Sequence, residues 1–447
     1  MVHLLPLLFA VLLFVGGQQL LVRGTYQSVA FVTLNLSFAF WYWLPAAQLL
    51  IAPSPEILYA TQITVASIRS ATWLVLLYHF VAVFAFLILK DLFDARPLQL
   101  TSPVPLTAIA VMTMISSLLC FFIGFRELGV GQQLAILTAR QSAREVLTFY
   151  NRSEGAGDSL LSLWQIFNTS FAVLLLAALT ARRTVASAAM VMAGAALGVN
   201  FLASGTRTLL LMGMVAVMIG WQLRSHGGLG RWQRAIQASR FRLIYLVLLA
   251  GVGSIAFYGV AARFALSSAN TNYVADSVIN NNDMMRELAF VIDNMSTYVA
   301  PDPSAERLTY TRTPFNTLMP SFLGFAKPLP YHLIVYNYSR AGIDLENEQG
   351  NVFPGIVGDF RLVFGGAGPL LLSVFVLVLL YVIQLLAVPI TDGGLRAGVY
   401  AVNLVIVFAS FRNIQGHLAM VLIGTTALIW LMQHLLTPSR LVSAASL

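Results

Sequence analysis

The sequence predicts an all-α polytopic membrane protein, and three observations carry that prediction. Of the 447 residues 58% are hydrophobic and only 10% are charged, where an ordinary soluble chain carries about 25% charge. The mean hydropathy is +0.79, beyond what a soluble core needs. The apolar residues also gather into runs of roughly 20, the length that crosses a hydrocarbon core of about 30 Å.

In chain order the runs fall at 3–22, 27–52, 69–89, 104–125, 159–181, 184–204, 208–223, 243–265, 367–388, 397–411 and 418–436, so about eleven transmembrane helices are expected. The first lacks a basic leading region, and its end, Gln18-Gln19-Leu20-Leu21-Val22-Arg23, is no small-residue cleavage site. It is therefore read as a span rather than a signal peptide. Arg182-Arg183 joins two spans, and residues 224–242 carry Arg224, Arg231, Arg234, Arg240 and Arg242 without an acid. Short loops rich in arginine face the cytoplasm, which sets the N-terminus outside and the C-terminus inside.

On that topology residues 126–158 form a periplasmic segment whose stretch 131–152 is amphipathic, with Arg140 and Arg144 four apart on one helical face. Residues 266–366 form a large periplasmic loop plus a re-entrant or interfacial helix. The aromatics Tyr298, Tyr310, Phe315, Phe322, Tyr331, Tyr336 and Tyr338 argue that this loop is ordered. The helix is required because the apolar run 352–388 would reach about 55 Å as one helix, far more than a bilayer core. The break is expected at Gly365-Gly366-Ala367-Gly368-Pro369. No internal repeat is visible, and residues 1–447 read as a single membrane domain. The net charge of +8 comes without a basic run suited to nucleic acid, so membrane lipids are the expected anionic surface. The lone Cys120 excludes an intrachain disulfide and a cysteine metal cluster.

Arg207, Arg263, Arg340, Arg361 and Arg412 lie at or near the outer edge, where the charge bias of loops gives no reason for them. Arginine's planar fork binds phosphate oxygens in pairs and stays charged at any relevant pH, so an anionic ligand such as a pyrophosphate accounts for the set. Pairing with Asp276, Glu346, Glu348 or Asp359, or snorkelling to headgroups, accounts for any one of them alone. His332 and His417 are the outer-side histidines, and either can donate a hydrogen bond or a proton. Glu346, Glu348 and Asp359 sit where a general base for a sugar hydroxyl is needed, or where a salt bridge to Arg340 or Arg361 would form. Asp344, Glu346 and Glu348 are the one spaced carboxylate set in the outer loops. With arginines present to neutralise phosphate, no metal and no cofactor is expected.

Three pieces resemble the Wzy-type O-antigen or oligosaccharide repeat unit polymerases of bacterial envelopes. They are the turn Ser204-Gly205-Thr206-Arg207-Thr208, the large late periplasmic loop, and the segment 351–368 with its Pro354-Gly355, Gly358-Asp359-Phe360-Arg361 and Phe364-Gly365. The family usually has Glu, a small residue and Tyr where this chain has Asp359-Phe360-Arg361. The resemblance implies a GT-C-like, metal-independent glycosyltransferase whose donor and acceptor are undecaprenyl-pyrophosphate-linked glycans. A chain-length regulator and a flippase are the implied partners, with no role for nucleic acid. The expected pyrophosphate grip is Arg207, Arg340, Arg361 and Arg412. The expected catalytic set is Glu348, His332 and Asp359, with Glu348 first choice as base and His332 second. An O-antigen ligase shares the same donor, and a lipid-linked oligosaccharide flippase or secondary transporter is the alternative of another class.

Overall fold

The computed structural model describes residues 5–20, 25–51, 63–94, 105–126, 129–137, 164, 166–175, 177, 284–313, 330–341, 354–412 and 418–436. Among these every regular element is helical and no β-strand occurs. In chain order the α-helices are α1 (Leu5–Leu20), α2 (Tyr26–Phe38), α3 (Leu44–Ile51), α4 (Val65–Ile88), α5 (Leu106–Gly124) and α6 (Val130–Leu137). They continue with α7 (Ile166–Leu175), α8 (Met284–Asn294), α9 (Pro303–Arg312), α10 (Tyr331–Ala341), α11 (Gly355–Phe364), α12 (Gly368–Ala387), α13 (Gly393–Ser410) and α14 (Leu418–Leu436).

Four stretches among the described residues are long and apolar enough to cross a membrane: Tyr26–Ala47, Val65–Ile88, Leu106–Gly124 and Gly355–Ala387. Three more apolar helices are shorter. Four of the expected spans thus reach full length among the described residues. Those at 184–204, 208–223 and 243–265 lie outside the described residues, as do both ends of 159–181. A lipid-facing surface is visible on α4, where Trp73, Leu77, Phe80, Phe84 and Ile88 are exposed along one stripe while Ser67, Thr72, Tyr78 and His79 are buried on the other. Such a stripe is an aggregation hazard in water and an ordinary surface in lipid.

The chain divides into two compact units. The first comprises residues 1–96, 275–382 and 406–420. Its α2 and α4 begin on reciprocal caps, Thr25 with Ser28 and Thr64 with Ser67, each hydroxyl accepting the other's backbone N–H. These caps satisfy donors that a helix start leaves orphaned. The Thr64 amide also donates to Asp293 at 2.9 Å, holding the start of α4 against the end of α8. At the opposite end of α4, the Gln27 side chain donates to the Lys90 carbonyl at 2.8 Å. The helix ends thereby sort onto two faces, as alternating spans require.

Between α2 and α3 the helix widens into a π turn at Ala39–Trp43. Three consecutive residues, Trp41, Tyr42 and Trp43, are buried there, which 100° steps of an α-helix would spread around the axis. Each then donates inward. Trp41 Nε1 caps the Phe408 carbonyl at 2.8 Å, and the Tyr42 hydroxyl reaches the Phe411 carbonyl at 3.4 Å. Trp43 Nε1 donates to His79 Nδ1 at 3.1 Å. An indole only donates, so His79 carries its proton on Nε2, 3.0 Å from the Asn35 carbonyl oxygen.

The second unit comprises residues 97–274, 383–405 and 421–447. Its helices meet at small residues: a Cβ on Gly398 would stand 2.7 Å from the Val173 carbonyl, and one on Gly424 would stand 2.4 Å from Ile166. Close backbone approach of this kind drives helix association where lipid removes the hydrophobic term. Of the expected amphipathic segment 131–152, α6 covers the start and the rest lies outside the described residues.

The long apolar run 352–388 is broken at Gly365. There α11 ends with φ of +57°, one turn of 3-10 helix follows over Gly365–Ala367, and α12 begins at Gly368. The start of α11 is equally specific. Gly355 has φ of +73°, and a Cβ there would lie 2.7 Å from the Tyr42 hydroxyl. The orphan amides behind it are taken by the Phe411 carbonyl, from Ile356 at 3.2 Å, and by the Tyr42 hydroxyl, from Val357 at 3.1 Å. Both motif glycines therefore answer a backbone need that a side chain would strain.

Candidate functional site

α8, α9, α10 and α11 all belong to the first unit, and among them lie two buried charge clusters. The first joins α9, α10 and α11. Asp302 starts α9 by accepting from the Ser304 and Ala305 amides, both at 3.0 Å, with Pro303 in the first turn. That start sets Glu306 and Tyr310, four residues apart, on one face, and they are the two buried residues of an otherwise exposed helix. Glu306 then takes the place of a cap for α10. Its carboxylate accepts the Tyr331 amide at 2.7 Å and the His332 amide at 3.0 Å, and also meets Nδ1 of the His332 ring. The other ring nitrogen, Nε2, lies 3.2 Å from Oδ1 of Asp359 on α11. The Tyr310 hydroxyl closes the chain by donating to Oδ2 of Asp359 at 3.3 Å. Glu306, His332, Asp359 and Tyr310 are all at most 5% exposed.

Carboxylates only accept, so an imidazole between two of them carries a proton on each nitrogen. Burial by itself would lower the His332 pKa, but the hydrogen bonds and charges of Asp359 and Glu306 outweigh it and hold the ring above its ordinary value. Burial likewise pushes the Glu306 carboxyl up, and the His332 contacts with the two α10 amides bring it below its usual range. The Tyr310 phenol, buried beside Asp359, is held well above its ordinary value. Phe360 and Phe364 stand edge-on to its ring at 5.7 and 6.1 Å.

The second cluster joins α8 and α10. Glu287 accepts from Arg340 Nε at 2.8 Å, from the Tyr336 hydroxyl at 2.6 Å and from Arg286 at 3.0 Å. Burial opposes its ionisation, yet Arg340 and Arg286 win and the carboxyl lies below its usual value. The Arg340 guanidinium also rides over the Phe290 ring, 5.3 Å from its centroid.

The expected site residues separate as follows. His332 and Asp359 come together, and Arg361 follows two positions on, facing away. Arg361 is exposed and makes no hydrogen bond or ion pair among the described residues. Arg412 is exposed just past the end of α13. Arg340 pairs with Glu287 through its Nε at 2.8 Å, a partner not among those expected. Both ring nitrogens of His332 are engaged by carboxylates, Nδ1 by Glu306 and Nε2 by Asp359. Glu348 and Arg207 lie outside the described residues, as does the carboxylate set Asp344, Glu346 and Glu348. Among the described residues no group of three His, Cys, Asp or Glu is placed to hold a metal ion.

Sequence reasoning missed Glu287 and Glu306. The signal for Glu306 was present, in an Asp302-Pro303 helix start that sets Glu306 and Tyr310 on a common face. Beneath the break in the apolar run, the Tyr78 hydroxyl is buried with no hydrogen-bond partner among the described residues, aimed at Gly368, where a Cβ would come within 2.1 Å of it. No family model, curated protein or solved structure matches the chain.

Proposed function

We propose that this chain is a metal-independent, GT-C-like glycosyltransferase of the bacterial inner membrane. It polymerises undecaprenyl-pyrophosphate-linked oligosaccharide repeat units into a surface polysaccharide at the periplasmic face. The observation that carries this reading is Arg361. An exposed guanidinium, without an ion pair among the described residues, stands on the broken apolar helix, two residues from a buried carboxylate that other groups already neutralise. A charge left unpaired at such a place is costly without a ligand, and a pyrophosphate supplies the matching oxygens.

In this reading Arg361, with Arg207 and Arg412, binds the donor pyrophosphate and stabilises the negative charge that grows on it as the glycosyl bond breaks. Arg340 has a structural role through Glu287. Asp359 is the carboxylate near the reacting hydroxyl, and Glu348 remains part of the proposal through sequence alone.

The test is Arg361→Ala in the native host, with the amount of protein in the membrane measured alongside surface glycan length. Collapse from long chains to single repeat units is the expected result. Unchanged long chains from a stably expressed variant overturn the reading. Complete loss of capped lipid A core, with long lipid-linked chains retained, reassigns the chain as an O-antigen ligase.

A further inference from the structure

We propose that Glu306 is a positioning residue for glycosyl transfer: acting through His332, it fixes the Asp359 carboxylate so that Oδ2 is the oxygen that receives the acceptor's proton. This rests on the polymerase reading.

The geometry orders the contacts. His332 cannot turn, because Glu306 holds Nδ1 from one side while its carboxylate is itself anchored by the Tyr331 and His332 amides. The ring therefore presents Nε2–H to Oδ1 of Asp359, and that oxygen is occupied. Among the described residues Oδ2 is held by the Tyr310 hydroxyl alone, at 3.3 Å, the longest bond of the network and a neutral one. An acceptor hydroxyl that displaces Tyr310 inherits this position. Other charged or titratable groups act on the network from neighbouring elements. They are Tyr298, which stacks on Tyr331 at 6.4 Å and acts on Glu306, and Tyr42 and Tyr78, which act on Tyr310.

In the transfer, the acceptor oxygen forms a bond to the donor's anomeric carbon. The bond from that carbon to the pyrophosphate oxygen breaks, and its electron pair leaves with the pyrophosphate. The hydroxyl proton passes to Oδ2 of Asp359. No oxidant or further reactant is needed, and His332 keeps both its protons throughout.

The experiment uses the full chain in nanodiscs with its histidines labelled with nitrogen-15 in the ring, the His332 signal being assigned by its loss in His332→Gln. At neutral pH the wild-type signal should show both nitrogens protonated. In Glu306→Gln the midpoint of its titration should fall by about one pH unit or more, and Glu306→Asp should recover part of the shift. In the host, Glu306→Gln at normal membrane abundance should shorten the glycan, and Glu306→Asp should partly restore it. A neutral His332 in the wild type at pH 7 overturns the proposal without any Glu306 variant having to fold. So does a Glu306→Gln protein with an unchanged His332 titration, or with full-length glycan. If Arg361→Ala leaves long chains intact while the histidine results stand, the polymerase reading fails and the buried relay survives it.

Discussion

The two charge clusters share a plan and differ most in the cation at its centre. Each buries a glutamate against a cation from α10, with a tyrosine hydroxyl donating to a carboxylate of the cluster, Glu287 in one and Asp359 in the other, and each ties segments distant in the chain. In one the cation is Arg340, in the other His332. Guanidinium stays charged throughout the accessible pH range, whereas imidazolium exists only below its pKa. The Glu287 cluster is therefore a permanent clamp, and the Glu306 cluster is a clamp only while His332 is protonated. The difference suits their places. The permanent one ties α8 to α10, and the conditional one reaches α11, beside the break in the apolar run.

The largest way to break the comparison is to remove the permanent clamp's acid. Glu287→Ala leaves Arg340 half-buried with no counter-ion and Tyr336 with no acceptor. It should cost about 3 kcal/mol, in the range measured when one partner of a buried pair is deleted. Unfolding in mixed micelles measures it, and a loss below about 1 kcal/mol would show the cluster to be solvated.

His332→Gln comes next, at about 2 kcal/mol, since Gln can keep one neutral hydrogen bond of the two charged ones. Its pH dependence sharpens the contrast. His332 has a raised folded pKa, so its contribution is fully present below its ordinary value of 6.5 and is lost as pH rises through the raised value. Glu306 and Glu287 are both lowered, so theirs are present above the ordinary 4.5 and are lost as pH falls through the lowered values. Melting temperature against pH should thus show an acid limb from both clusters and an alkaline limb from one. The alkaline limb should vanish in His332→Gln and persist in Glu287→Ala. An alkaline limb that survives in His332→Gln assigns it to another group.

How far this was legible in the sequence follows from range. The break at Gly365 could be read because length and local composition decide it. Glu287 and Glu306 could not be chosen as partners. They meet Arg340 and His332 across 53 and 26 residues, and the faces that meet are decided by packing. Arg340 and Arg361 look alike in sequence, yet among the described residues one is paired with a carboxylate and the other is not. The π turn was hidden for a different reason: three consecutive buried aromatics match neither a 3.6 nor a 2.0 period. An apolar run states that a segment suits lipid without stating that it forms one unbroken helix, as the run 352–388 shows by dividing at Gly365.

The tyrosines give the smallest effects and the finest comparison. Tyr336→Phe removes a 2.6 Å bond to a carboxylate ringed by two arginines and should cost about 1.5 kcal/mol. Tyr310→Phe removes a 3.3 Å bond and should cost about 0.5 kcal/mol. The smaller loss is the more telling one. If Oδ2 of Asp359 receives the acceptor's proton, Tyr310 guards that oxygen in the resting state and must give way to the acceptor. Tyr310→Phe should then leave glycan length nearly intact, while Tyr336→Phe should affect glycan only as far as it lowers the amount of folded protein. A Tyr310→Phe variant that is as stable as wild type but makes only single repeats would mean that the phenol itself takes part in the transfer, and the proton would have to be rerouted through it.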